Sequence, residues 1–135
     1  MTITDFLYAR LAEDEDTALT AAGGSMYQHG RWSLRPTSDG ADVLTRGFYV
    51  ILSDELPEVA AHVVRHHPDR VLAEVKVKRQ ILAEYEAAIR DDRDIVNDEW
   101  VSGQNQGAVN ALKPVIHLLA AVYRDHPDYQ KDWTP

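Results

Sequence analysis

The 135-residue chain contains no cysteine. Disulfides, thiol catalysis and cysteine-held zinc or iron–sulfur centres are therefore excluded. Asp5 lies near the start and no apolar secretory core follows it. No run approaches the roughly 18 apolar residues of a membrane span. These absences lead to the expectation of a cytoplasmic protein without membrane association. Positive charge is also short: 14 Lys and Arg face 22 Asp and Glu, a formal net charge of −8. That balance argues against general nucleic-acid binding. There is no G-x-S-x-G, no phosphate loop and no dinucleotide fingerprint. Ser25, Ser33, Ser38, Ser53 and Ser102 have no base near them in sequence. With no catalytic constellation, the leading expectation is a non-enzymatic protein-binding or accessory factor.

What is present is ordinary globular composition, 44% hydrophobic and 27% charged. The length predicts a single domain over residues 1–135, able to bury roughly two-thirds of its unfolded surface. The chain is organised around His62–Ile89, HVVRHHPDRVLAEVKVKRQILAEYEAAI. Pro68 suits a first helical turn, because its fixed φ fits and its missing N–H is not needed there. Asp69 meets the positive end of the helix dipole. Neither Gly nor Pro recurs before Gly103, so a long central helix is predicted to about Ile89. Val71, Val75, Lys78, Leu82, Tyr85 and Ile89 form one seam of heptad spacing. Val77, Ile81 and Ala88 form a second stripe. A helix apolar on two sides lies between two layers. Either both layers belong to this chain, or Val77, Lys78 and Ile81 form the interface of a homodimer. Residues 62–79 hold five cations against two carboxylates, a net of +3 that leaves −11 on the remainder.

Residues 2–21 predict an amphipathic helix capped by Thr2 or Thr4, with Ile3, Phe6, Leu7, Leu11, Ala18 and Leu19 recurring at helical spacing as its apolar face. Glu13–Asp16 reads as its solvated side. Gly23-Gly24 ends it. From Arg31 the period changes to that of strands. Trp32 and Leu34 alternate, Pro36–Gly40 is turn-like, and DVLTRGFYVIL (42–52) is rich in β-branched and aromatic residues. Gly47 marks a bulge or a second turn. Ser53–Asp54 are candidate caps for a short helix reaching residue 66. Residues 91–107 are acidic, then Gly- and amide-rich, and predict a loop pinned by Trp100. Residues 108–123 are nearly apolar throughout and predict a buried C-terminal helix with Pro114 near its start. Tyr129 and Trp133 are expected to dock. The expected fold is α+β, with helices packed on a small antiparallel β-sheet.

One local pattern recurs. AAHVVRHHPDR (60–70) and LAAVYRDHPDY (119–129) share six of eleven positions, each an apolar helix ending in Arg and then His-Pro-Asp. A histidine before proline is held extended, and its ring reaches the end of one helix or the start of the next.

Histidine spacing gives the candidate chemistry. His62 and His66 stand at i, i+4, the spacing by which two imidazoles bind one divalent metal from a helix. His67, Asp91, Asp92, Asp94 or Asp98 are the candidate third ligands. Val63 stands where a zincin needs Glu. Asp92-x-Asp94 lacks the glycine and closing Glu of a calcium loop. Arg65, His67 and Arg70 surround the start of the long helix and make a candidate anion site, although Asp69 competes there and Pro68 removes one donor. The alternative reading is therefore a metal-dependent or phosphate-directed enzyme using His62, His66 and His67. The leading reading requires no cofactor.

FLYARLAEDEDTALTAA (6–22), the Trp32 region, AAHVVRHHPDRVLAEVKVKRQIL (60–82) and LLAAVYRDHPDYQKDW (118–133) are similar, in this order, to an uncharacterised family of small proteins of actinobacteria and their phages. The resemblance covers most of the chain and implies origin and segment order. It points to a host or phage protein partner, but to no activity. Many family members carry cysteines between the long and final helices. This chain has none in 91–113, so a thiolate-metal role does not carry over. HHPDR followed by ILAEYEAAI also looks like the His-Pro-Asp motif of J-domain co-chaperones, and FYVIL (48–52) like that domain's opening. Only 14 residues separate Leu52 from His67, too few for the two helical segments needed there.

Overall fold

The computed structural model describes residues 1–23, 30–94 and 99–135. Four helices and three strands follow in the order α1 (Ile3–Ala22), β1 (Trp32–Pro36), β2 (Ala41–Thr45), β3 (Val50–Glu55), α2 (Pro57–Arg65), α3 (Pro68–Asp94) and α4 (Glu99–Ala121), with a closing 3-10 turn at Lys131–Trp133. This is the α+β class read from the sequence. The chain divides into two compact units, Ala12–Val75 and Met1–Leu11 with Lys76–Pro135.

The first unit holds the sheet, antiparallel throughout in the order β1-β2-β3. Trp32 pairs with Thr45, Leu34 with Val43 and Pro36 with Ala41. The hairpin turn forms where the sequence placed it. Thr37 N–H donates to the Gly40 carbonyl at 2.9 Å, and Gly40 N–H to the Thr37 hydroxyl at 3.0 Å. A side chain at Gly40 would meet the Glu55 carbonyl, so glycine is required by close approach. Gly47 takes the role of second turn: Phe48 N–H returns to the Thr45 carbonyl at 2.9 Å, and 42–52 splits into β2 and β3. Being central, β2 is buried at every position. Ala41 and Val43 pack with Ala60 of α2, and Trp32, Leu52, Val63 and Val64 surround them. The sheet thus gains the helix cover that three short strands need.

The predicted cap of α2 is displaced. Ser53 and Asp54 belong to β3, and the N-cap is Leu56, with Pro57 opening the helix and no side-chain cap bond. Asp54 instead donates its N–H to Asp42 Oδ1 at 3.0 Å, with its backbone at φ 50. Strand pairing wins because Glu55 still lies opposite Ala41. FYVIL, read above as an echo of a J-domain opening, lies in the turn and in β3, not in a helix.

At the N-terminus of α1, Thr2 proves to be the cap. Its hydroxyl accepts the Asp5 N–H at 3.1 Å, while the Asp5 carboxylate accepts the Thr2 N–H and O–H at 2.9 and 2.7 Å. This reciprocal box satisfies helix-end donors. The hydrogen bonds from Thr2 hold the Asp5 carboxyl below the usual carboxylate range. At the other end Gly23 takes φ 86, where glycine is tolerated best.

α3 runs 27 residues, about 40 Å at 1.5 Å per residue. Along its seam Val75, Leu82 and Tyr85 are buried. Its second stripe is open at Val77, which is 57% exposed. The predicted 91–107 loop is corrected at both ends: 91–94 continue α3, and 99–107 begin α4. At Gly103 and Gly107 a side chain would meet open space, so no close approach requires glycine there. Pro114 consequently lies inside α4, not at its start. Among the described side chains of α4 only Ile116 and Ala120 are buried, while Leu118 and, just past the helix end, Val122 are 59% and 68% exposed. An all-apolar composition concealed which face was covered. The side chains of Asp92, Asp94 and Trp100, and residue Asp98, lie outside the described residues.

Phe6 centres the second unit's core. Its ring meets Tyr123, His126 and Tyr129 edge-on at 6.3, 5.8 and 6.0 Å, and Trp133 at 5.0 Å. Tyr129 and Trp133 dock as expected. His117 Nδ1 donates to the Trp133 carbonyl at 3.1 Å and fixes the tail to α4.

Candidate functional site

The two His-Pro-Asp segments share one backbone device. In each, the His carbonyl accepts the N–H three residues on: Arg70 to His67 at 3.0 Å, and Tyr129 to His126 at 2.9 Å. After that the copies diverge. The first opens α3, and the second forms a turn that ends near the 3-10 segment.

At the first copy, Gly30 meets the start of α3. Its carbonyl accepts the Asp69 N–H at 3.0 Å and lies 3.1 Å from His67 Nδ1. Val71 N–H also bonds the His67 carbonyl, at 3.2 Å. These donors of the helix start are thus engaged within the chain. Of the candidate anion residues, Arg70 places its Nε 2.8 Å from Glu74 and its Nη1 3.1 Å from the Arg65 carbonyl. The arrangement couples the end of α2 to the start of α3, and His67 faces Gly30.

His62 and His66 do come together. Their rings lie 4.6 Å apart, tilted by 39°, on the exposed side of α2. Among the described residues no third histidine or carboxylate joins them to make a metal-holding group. His67 turns instead to Gly30. His66 borders a cavity of about 210 Å³ with Asp14, Thr17, Ala18, Trp32 and Val71, so the edge of the histidine pair faces an apolar recess. In the proposed interface stripe Val77 is exposed, while Lys78 and Ile81 are half-buried.

Sequence reasoning missed Arg10. It is buried, and its guanidinium carbon lies 5.3 Å from the Phe6 ring centroid. Its Nη1 lies 2.6 Å from both ring nitrogens of His126 and 3.7 Å from Asp128 Oδ2. His126 Nδ1 also accepts the Asp128 N–H at 3.1 Å. The signal was present: Arg10 falls among Phe6, Leu7 and Leu11, on the apolar face of α1. A charge on a buried face needs a partner, and the second His-Pro-Asp supplies it. The group clamps α1 to the second His-Pro-Asp turn.

The chain matches a family of unknown function, DUF6221, over residues 1–135. It belongs to that family. No curated protein matches it, and no solved structure does. The DUF6221 match agrees at family level with the resemblance read from the sequence blocks, and it assigns no reaction to any of the groups above. Among the described residues no helix is long and apolar enough to cross a membrane.

Proposed function

We propose that this DUF6221 member is a non-enzymatic protein-binding accessory factor that pairs with a second copy of itself in the cytoplasm of an actinobacterium or an infected host. The origin rests on the resemblance of residues 60–82 and 118–133 to proteins of that source. The function rests on one observation above the others. Leu118 on α4 and Val122 directly after its end are 59% and 68% exposed, and Val77 on α3 is 57% exposed. Large apolar side chains left open on a surface favour association. Native mass spectrometry across a concentration series tests the reading. A dimer that Leu118→Asp with Val122→Asp converts to monomer supports it. A monomer at every concentration, with α4 variants indistinguishable from the parent, removes the self-association.

The alternative is a metal-dependent or phosphate-directed enzyme using His62, His66 and His67. What favours it is the 4.6 Å approach of the His62 and His66 rings beside a recess. A mass increment of one divalent metal per chain, lost with a chelator and lost in His62→Ala, supports this alternative against the accessory reading.

A further inference from the structure

The outer end of the β1–β2 hairpin concentrates three features that the fold itself does not require. Trp32 and Thr45 are the last pair of the ladder. Arg31 precedes that pair and Arg46 follows it, so two arginines lie together at one end of the hairpin. Both line a cavity of about 340 Å³ with Trp32, Ser33, Thr45 and Phe48. Among the described residues no carboxylate lines it.

The first feature is uncompensated positive charge. The chain has 22 carboxylates to 14 Lys and Arg. Even so, among the described residues neither Arg31 nor Arg46 has an ion-pair partner. Two guanidiniums facing one concavity repel each other until an anion enters between them.

The second feature is Phe48. It is 80% exposed, so it adds little to the core. It also takes φ 64, a left-handed conformation that a bulky residue rarely adopts. Its N–H closes the turn onto the Thr45 carbonyl at 2.9 Å, a position where glycine is the unstrained choice. Backbone strain held at a largely exposed aromatic residue points to a use for the ring.

The third is the hydroxyl content and size of the recess. Ser33 and Thr45 line it, and its volume falls at the low end of the roughly 300–1,000 Å³ of small-ligand sites.

We propose that this recess binds a mononucleotide. Arg31 and Arg46 take the phosphate, where guanidinium forks match phosphate oxygens. Phe48 stacks on the base, and the Ser33 hydroxyl bonds the sugar or phosphate. A concave, hydroxyl-lined recess favours one small anion with a flat ring over an extended polyanion or a membrane surface. No bond is made or broken; the site is one of binding.

The test is a titration of the full chain with AMP, followed by backbone and tryptophan-indole NMR shifts. Adenosine, inorganic phosphate, a thymidine oligonucleotide and phosphatidylglycerol vesicles are the comparison probes. Saturable shifts at Arg31, Trp32, Arg46 and Phe48 are expected, with adenosine and phosphate each about tenfold weaker than AMP because each fills half of the site. Arg31→Ala and Arg46→Ala each weaken AMP by about tenfold or more. Phe48→Gly weakens AMP while leaving the weak phosphate binding in place, a split that a merely structural role would not produce. Arg31→Gln and Arg46→Gln replace the alanine variants if those fail to fold. The proposal is overturned by an absence of saturable AMP shifts at millimolar concentration, or by AMP binding that the arginine variants leave unchanged. Oligonucleotide or vesicle binding far tighter than AMP binding also overturns it.

Discussion

The Gly30 carbonyl and the Asp69 N–H meet at 3.0 Å, and a Cβ on Gly30 would lie 2.0 Å from Asp69 Oδ1. The two residues are 39 positions apart in the chain, and a side chain on Gly30 would force the Asp69 carboxylate to move. Gly30→Ala is therefore expected to lower stability by about 1–3 kcal/mol, the range for overpacking. Asp69→Ala removes the obstructing carboxylate. In a double-mutant cycle by urea denaturation, Gly30→Ala should cost less in the Asp69→Ala background than alone. Equal costs in both backgrounds would show that the clash is not what Gly30 avoids.

Arg10 and His126 give a second expectation. Arg10→Ala removes the guanidinium from the Phe6 ring and deprives His126 of its donor. A loss of about 2–3 kcal/mol follows from a buried, charge-assisted hydrogen bond with packing. Arg10→Lys should recover little of it, because an ammonium cannot reproduce a planar contact over Phe6. Guanidinium denaturation midpoints of the three proteins decide the matter, and full recovery by lysine would count against the geometry.

Acid sensitivity centres on Asp42. The Arg35 side chain donates to its carboxylate, with Nε at 3.2 Å from Oδ2, and Asp54 donates a backbone N–H. These bonds, Arg35 first, hold the Asp42 carboxyl below the usual range. A carboxylate with a depressed folded pKa contributes stability that is present above its unfolded pKa, near 4, and is lost as pH falls through the folded value. Thermal melts should therefore fall more steeply below about pH 4 in the parent than in Asp42→Asn. Parallel curves for the two proteins would contradict this.

Phe48→Gly is expected to raise stability by about 1 kcal/mol, since it relieves a left-handed backbone at the cost of little buried surface. A thermal melt shows the sign directly. A fall in the melting temperature would mean that the ring is part of the packing after all.

Local turn chemistry made some parts of the fold readable. Thr37 and Gly40 close the first turn, Gly47 begins the second, and Thr2 with Asp5 caps α1, because each is specified within four residues of sequence. The Phe6 side of α1 and the seam at Val75, Leu82 and Tyr85 followed from periodicity. The rest depended on partners distant in sequence. Leu118 and Val122 look like core residues until Ile116 and Ala120 are seen to carry the covered face. Helix at 91–94 and 99–107 overrides acidic and glycine-rich composition of weak intrinsic preference. Asp54 was read as a helix cap, but strand pairing and the Asp42 carboxylate claim it. Among the candidate chemical residues, spacing correctly brought His62 beside His66. It could not show that His67 would turn to Gly30, nor that Arg10 would find His126.

β1 and β3 are the two margins of the sheet, and they differ in kind. Pro36 and Arg35 stand on β1, and proline has no N–H with which to recruit another strand. β3 opens with Val50 and Ile51 exposed, directly after Phe48 and Tyr49, and no charge interrupts the run until Asp54. Val50, Ile51 and Leu52 on this margin, extended by the two aromatics before them, form a seed for intermolecular cross-β growth. Long storage at high concentration should therefore produce fibrillar material that nucleates at Phe48–Leu52, with Arg46 and Asp54 as the gatekeepers that delay it.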